Sequence, residues 1–234
     1  MAFAKNVFSG ARHLLFPRLC CGCQRPMLPE EKLVCFICFR QLSQTDYHHV
    51  ALNETALRIT GRFPLEKATS FCYFAHGGLM QHLLHQIKYK RRADLAFELG
   101  EAMGTALAAA GFLEGIDGIV PVPLHFRKEW KRGYNQSERI AAGMEKATSV
   151  PVETRLLRRV RHTESQTSKT AAERQANVKD AFEVRKRSGK SPRHFLLLDD
   201  VLTTGATLEA CAGAILESLP GSCISIATAA VASG

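Results

Sequence analysis

The chain lacks an apolar run of the roughly 20 residues that a bilayer span requires. Its first residues, MAFAKNVFSGARHLLF, are interrupted by Lys5, Asn6, Gly10, Arg12 and His13, so they read as neither span nor signal peptide and predict a cytoplasmic protein. It also lacks G-x-x-x-x-G-K-[ST] and G-x-G-x-x-G, which excludes the usual triphosphate and dinucleotide loops. There is no internal repeat and no low-complexity tract. Acidic residues are in the minority: 22 Asp and Glu stand against 31 Lys and Arg, a formal charge of +9 over 234 residues. That excess favours an anionic partner such as nucleic acid, an anionic membrane face or a phosphorylated small molecule, without choosing among them.

Five of the eight cysteines lie between Cys20 and Cys38. Cys20, Cys23, Cys35 and Cys38 form CxxC-x11-CxxC, in which each pair bends a short knuckle so that two thiolates face one ion. Such a set suits a structural zinc, because four protein thiolates leave no open coordination position. The spacing also allows a register in which Cys21 replaces Cys20, and a disulfide or redox-active pair is the rival reading. The polar stretch SQTDYHHVALNET then reads as a connection or weak helix. Residues 1–61 are expected to form a zinc-ribbon module with a linker, and residues 62–234 a second domain.

From Lys67 the pattern alternates. KATSFCYF, GIVPVPL, AFEVR, HFLLLDDV and SCISIATAAVA read as strands, while GLMQHLLHQIKY, DLAFELGEAMGTALAAAGF, SERIAAGMEKATSV and ATLEACAGAILESL read as helices. Strands alternating with helices predict an α/β fold whose sheet is mainly parallel and flanked by helices. The polar, basic stretch after Leu157 reads as a mobile loop leading into a helix.

The sharpest signal is FLLLDDVLTTGAT, residues 195–207. An apolar strand runs into two carboxylates and then into a hydroxyl-rich glycine turn that opens a helix. Amides at the start of that helix, with the hydroxyls of Thr203, Thr204 and Thr207, can surround a phosphate, Gly205 lets the backbone approach it, and Ala206 completes the turn. Asp199 and Asp200, at the carboxyl end of the strand, can accept hydrogen bonds from vicinal ribose hydroxyls. The string resembles the phosphoribosyl-pyrophosphate loop of type I phosphoribosyltransferases. In that family the two acidic residues contact the ribose and the turn holds its 5′-phosphate.

Two basic strings accompany it. In VPVPLHFRKEWKRGYNQSERIA a strand ends at Pro123 and Leu124, and Arg127, Lys128, Lys131 and Arg132 follow beside the same sheet edge, where a pyrophosphate can sit. The second string carries Arg158, Arg159, Arg161, Lys169 and Arg174, which can close over a diphosphate and stabilise a leaving group. For any one of these cations a solvated surface is the commoner outcome. His82 and His85 read as a solvated helix face, and Trp130 and Tyr134 as aromatics able to stack on a base or pack on the domain.

PVPLHFRKEWKRGYNQSE, RRVRHTESQTSKTAAERQANV and FLLLDDVLTTGAT, in that order after the CxxC pairs, resemble the ComF family, as does HQIKYK at residues 85–90. Tyr134 stands where that family commonly has Phe. The resemblance implies a type I phosphoribosyltransferase-like domain with an amino-terminal zinc ribbon and a part in the uptake of transforming DNA. It implies a catalytic set of Asp199, Asp200, Arg127, Arg159, Arg161 and Lys169, with Mg²⁺ accompanying phosphoribosyl pyrophosphate. It also brings single-stranded DNA and proteins of the competence machinery into view as partners. Three activities are expected to compete: displacement of pyrophosphate from C1 of phosphoribosyl pyrophosphate, non-catalytic sensing of a ribose phosphate, and single-stranded DNA binding.

Overall fold

The computed structural model describes residues 17–160, 181–185 and 193–232. Its strands are β1 (Ala68–Phe74), β2 (Gly118–Pro121), β3 (Leu157–Arg159), β4 (Phe182–Val184), β5 (His194–Leu202) and β6 (Cys223–Ala232). Four of them form a sheet in the order β1-β6-β5-β2, and every neighbouring pair is parallel. The α/β architecture expected from the alternating pattern is therefore present.

Two apolar clusters explain why β5 reads as unbroken leucine. Leu196 and Leu198 enter one cluster, while Phe195 and Leu197 enter the other. A parallel strand covered on both faces needs apolar side chains at every position. The first cluster is closed by α3 (Leu79–Tyr89), α4 (Ala93–Ala109) and α6 (Gln136–Thr148). The second is closed by α7 (Ala206–Ser218) and by Ala56 and Ile59 of α2 (Glu54–Ile59). Helices α4 and α6 cross very closely, since a Cβ on Gly100 would stand 2.0 Å from the Ile140 carbonyl oxygen and one on Gly143 2.0 Å from that of Phe97. Glycine is required at both positions by the approach of the backbones.

Two elements differ from the sequence reading, and a third fills in a stretch read as a connection or weak helix. The segment HFRKEWKR contains a helix, α5 (Phe126–Arg132), which buries none of its own side chains. With no buried face it has no apolar period to read; it is defined by its ends, the His125 cap and the left-handed Gly133 at φ 89°. The stretch after Leu157 begins as strand, because β3 pairs antiparallel with β4. Its remainder, with Arg161, His162, Lys169 and Arg174, lies outside the described residues. The polar stretch before residue 60 contains a 3₁₀ turn, Tyr47–His49, and α2, whose first turn is capped by the Asn53 side chain accepting from the Ala56 amide.

Toward the amino terminus, α1 (Phe36–Gln41) carries Cys38 and is capped by Cys35. Its module is fastened to the sheet, with the Tyr73 amide donating to the Ser43 carbonyl over 2.8 Å and the Thr45 amide to that of Phe71 over 3.1 Å. No helix among the described residues is long and apolar enough to cross a membrane.

Candidate phosphate site and cysteine centre

Strand β5 ends in the two carboxylates and turns at Thr203 and Thr204 into the start of α7. Gly205 makes that turn at φ 81° in the left-handed region, which side chains other than glycine seldom adopt. A hollow lined by Asp199, Thr203, Thr204, Gly205, Ala206 and Thr207 opens at this point. Gly205 supplies no side-chain cap to α7, and the Ala206 amide donates to the Thr204 hydroxyl over 3.5 Å, so the positive end of the helix dipole lies at this hollow. Thr203 and Thr204 are exposed and Thr207 is half-buried.

The turn is braced from behind by α2. Arg58 donates to the Thr203 carbonyl over 3.3 Å and pairs with Glu54. Arg62 pairs with Glu209 on α7 at 3.0 Å. A Cβ on Gly205 would lie 2.6 Å from Ile59 Cδ1. Arg58, Ile59 and Arg62 belong to no motif, so local pattern carries no sign of the brace.

The carboxylates have separate surroundings. Asp199 accepts from the Ser137 hydroxyl over 3.1 Å and from the Asp200 amide over 2.8 Å. Burial, then the charge of Asp200, pushes its carboxyl up to about 7. Asp200 is paired with Lys88 Nζ at 2.8 Å. Lys88 comes from HQIKYK at the end of α3, a block singled out above without a role.

The string RGYNQS acquires a mechanical meaning. Gly133 ends α5, and Asn135 caps α6 while its amide donates to the Val122 carbonyl over 3.0 Å. Ser137 then reaches Asp199. Tyr134 donates its hydroxyl to the Ile87 carbonyl near the end of α3, so it packs on the domain.

Cations gather at the same end of the sheet. Burial, then the charges of Arg159, Arg132 and Lys88, holds Lys128 below the usual lysine range. Burial likewise lowers Arg159, while Cys211 and Asp199 act in the opposite sense. Arg159 lies 5.2 Å from the Phe182 ring centre. Arg127 instead stands over Phe126 at 5.8 Å, while Pro123 and Leu124 are half-buried between β2 and α5. The structure thus sets Asp199 in the hollow with the threonine turn, places Arg159 within reach of its charge and Asp200 beside it on Lys88, and adds Ser137 and Lys128. Arg161 and Lys169 lie outside the described residues.

In the cysteine centre the sulfurs of Cys20, Cys23, Cys35 and Cys38 all lie within 4.8 Å of one another, and Cys23 Sγ is 3.8 Å from Cys35 Sγ. That spacing is close to the edge of a tetrahedron with metal–sulfur bonds of about 2.3 Å. The Gly22 and Cys35 amides point at Cys20 Sγ over 3.3 and 3.2 Å, and the Cys38 amide at Cys35 Sγ over 3.3 Å. Amides donating to sulfur favour thiolate, so the set can hold a metal such as zinc. Cys21 is outside the cluster. The geometry of the four sulfurs settles the register in favour of Cys20. Cys20→Ala is expected to abolish the retention of about one zinc per chain, and Cys21→Ala to leave it unchanged. Metal analysis of the two purified variants checks this.

His82 and His85 are exposed, as expected of a solvated helix face; His82 Nε2 also lies 3.1 Å from the Cys21 carbonyl oxygen, and His82 is not part of the cysteine cluster. His85 stacks on Tyr89, the ring centres 4.8 Å apart.

No family model matches the chain. It is 37% identical over 93 residues to Competence protein F of Haemophilus influenzae, a stretch spanning 39% of this chain and 41% of that protein. It is 28% identical over 216 residues to DNA utilization protein YhgH of Escherichia coli, covering 88% of this chain and 93% of that protein. To Competence protein ComFC of Bacillus subtilis it is 24% identical over 217 residues, covering 92% and 85%.

Proposed function

We propose, from its likeness to Competence protein F, YhgH and ComFC, that the chain is a ComF-family protein serving competence and DNA utilization, and that its β5–α7 turn binds the 5-phosphate of phosphoribosyl pyrophosphate or a related ribose phosphate. One observation carries the reading: the Asp199 carboxylate and a hydroxyl-rich helix start line one hollow, and the adjacent Asp200 is held by Lys88 beside it. A bare anion site has no use for carboxylates. A ribose phosphate needs both, because its hydroxyls donate while its phosphate accepts.

In this reading Thr203 to Thr207 hold the 5-phosphate, and Asp199 and Asp200 accept from the ribose hydroxyls. Lys88, Lys128 and Arg159 offset the charge of the diphosphate. Mg²⁺, a hard cation favouring oxygen ligands, could be held by Asp199 and Asp200 together with the diphosphate, and would supply charge neutralisation of the leaving group. If transfer takes place, the C1–O bond to diphosphate breaks, the bond to a nucleophilic acceptor forms, and pyrophosphate departs. Retention of the site without transfer gives a sensor.

A second reading, single-stranded DNA binding, is favoured by exposed aromatics next to these cations. Trp130 is 87% exposed, Tyr89 69% and Phe126 66%, on two helices whose Lys128 and Lys88 repel one another. Bases stack on such rings while nearby cations hold phosphates.

Calorimetry with phosphoribosyl pyrophosphate and Mg²⁺, alongside a labelled oligonucleotide, separates the readings. Micromolar binding of the small ligand that Asp200→Ala removes and Trp130→Ala leaves intact is expected. No binding of any ribose phosphate would sink the first reading. Oligonucleotide binding that weakens steeply with salt and with Trp130→Ala would support the second.

A further inference from the structure

The cysteine centre and the carboxylate crevice belong to different parts of the chain, yet one helix touches both. The Cys21 carbonyl, in the knuckle between Cys20 and Cys23, accepts from Gln86 Nε2 at 2.7 Å and lies 3.1 Å from His82 Nε2. Gln86 is 6% exposed, so its amide bonds the knuckle with little competition from water. Gly22 lies so close to α3 that a Cβ on it would stand 3.0 Å from Leu79 Cδ1 and 2.8 Å from Cys38 Sγ. Lys88 follows Gln86 by two residues and pairs with Asp200. Tyr134 holds the intervening residue by donating to the Ile87 carbonyl.

We infer that Gln86 is a positioning residue through which the metal-bound knuckle sets Lys88 against Asp200. The physical reason is the rigidity of the path. Four sulfurs around one ion fix the knuckle backbone, and a carbonyl fixed in that backbone fixes the Gln86 amide. A helical turn carries that constraint to Lys88 without a soft torsion other than the two side chains themselves. The Cys21 carbonyl therefore has a use that the Cys21 thiol, outside the cluster, does not. If the knuckle opens, Gln86 loses its hydrogen-bond partner while the apolar face of α3 stays packed, and Lys88 is freer to leave the carboxylate.

This inference rests on the proposed role of Asp200 at the ribose, and its test keeps the two apart. The probes are phosphoribosyl pyrophosphate with Mg²⁺ and, without any ligand, the ¹⁵N resonance of the Lys88 ammonium, assigned by its loss in Lys88→Met. Gln86→Met conserves length and removes the amide. It is expected to keep its zinc and a cooperative melt, to lose the slowly exchanging Lys88 signal, and to bind the ligand about tenfold more weakly, the scale of one buried hydrogen bond. In the Lys88→Met background the same substitution is expected to cost nothing further, the signature of action through Lys88. His82→Phe, which spares Gln86, gives a smaller effect in the same direction. Additive losses in the double mutant, or an unchanged Lys88 signal in Gln86→Met, would overturn the inference. If the wild-type protein binds no ribose phosphate, the function proposed above fails, while the Lys88 signal still decides the coupling.

Discussion

Gly205→Val is expected to lower the affinity for phosphoribosyl pyrophosphate by two orders of magnitude or more. Gly205 sits at φ 81°, a conformation that costs an ordinary side chain about 1–2 kcal/mol and a β-branched one more. Its first carbon would stand 2.6 Å from Ile59 Cδ1, and Ile59 is fully buried, so the clash adds about 1–3 kcal/mol. The turn relieves both by moving into the hollow, which carries the amides of α7 away from the phosphate. Arg58, bonded to Thr203, moves with it. Calorimetry measures the affinity and a thermal melt the stability. An affinity within threefold of wild type would show that the phosphate binds elsewhere. Gly205→Ala, with less backbone strain and less bulk than valine, is expected to fall between valine and wild type.

The second large effect is on pH. Burial and the neighbouring Asp200 raise Asp199 to about 7, against about 3.9 for an aspartate in an unfolded chain. The folded state therefore holds the proton more tightly, and the unfolding free energy falls as pH rises from about 4 to about 7. The full span corresponds to about 4 kcal/mol, and solvent at this half-buried group reduces it to about 2 kcal/mol. Asp199→Asn has no proton to lose. It is expected to be the more stable protein at pH 8 and to flatten the slope between pH 4 and 7, measured by urea titration at several pH values.

Binding runs in the opposite direction. A ribose hydroxyl donates best to a carboxylate, so affinity is expected to rise about tenfold as pH passes through 7. A phosphate monoester has its own ionisation near pH 6, and the Asp199→Asn protein, which keeps only that step, separates the two. A wild-type profile matching the variant's would remove Asp199 from the ribose.

Some of this was legible in the residues because it depends on local rules. The run FLLLDDVLTTGAT specifies a buried strand, a turn and a helix start within thirteen positions, and each of those is set by side chains a few residues apart. The same holds for α3, α4 and α6, whose apolar faces recur at the helical period. Helix α5 was missed for the converse reason. It buries nothing, so periodicity was silent, although His125 and Gly133 marked its ends. The strand β3 was read as loop because its partner β4 lies more than twenty residues away, and pairing at that distance leaves no local pattern.

The sequence by itself determined which chemistry was available: four thiolates in two close pairs, two adjacent carboxylates beside a phosphate turn, and an excess of cations. Each depends on residues near one another along the chain. Only the tertiary structure decided which of them meet. It paired Lys88 with Asp200, set Ser137 on Asp199, braced Thr203 with Arg58, placed Cys20 rather than Cys21 in the cluster, and joined that cluster to α3 through Gln86. Those contacts span up to 145 positions, and they arise from packing helices on both faces of a parallel sheet. Propensity and period end at the element, whereas the site is made where elements touch.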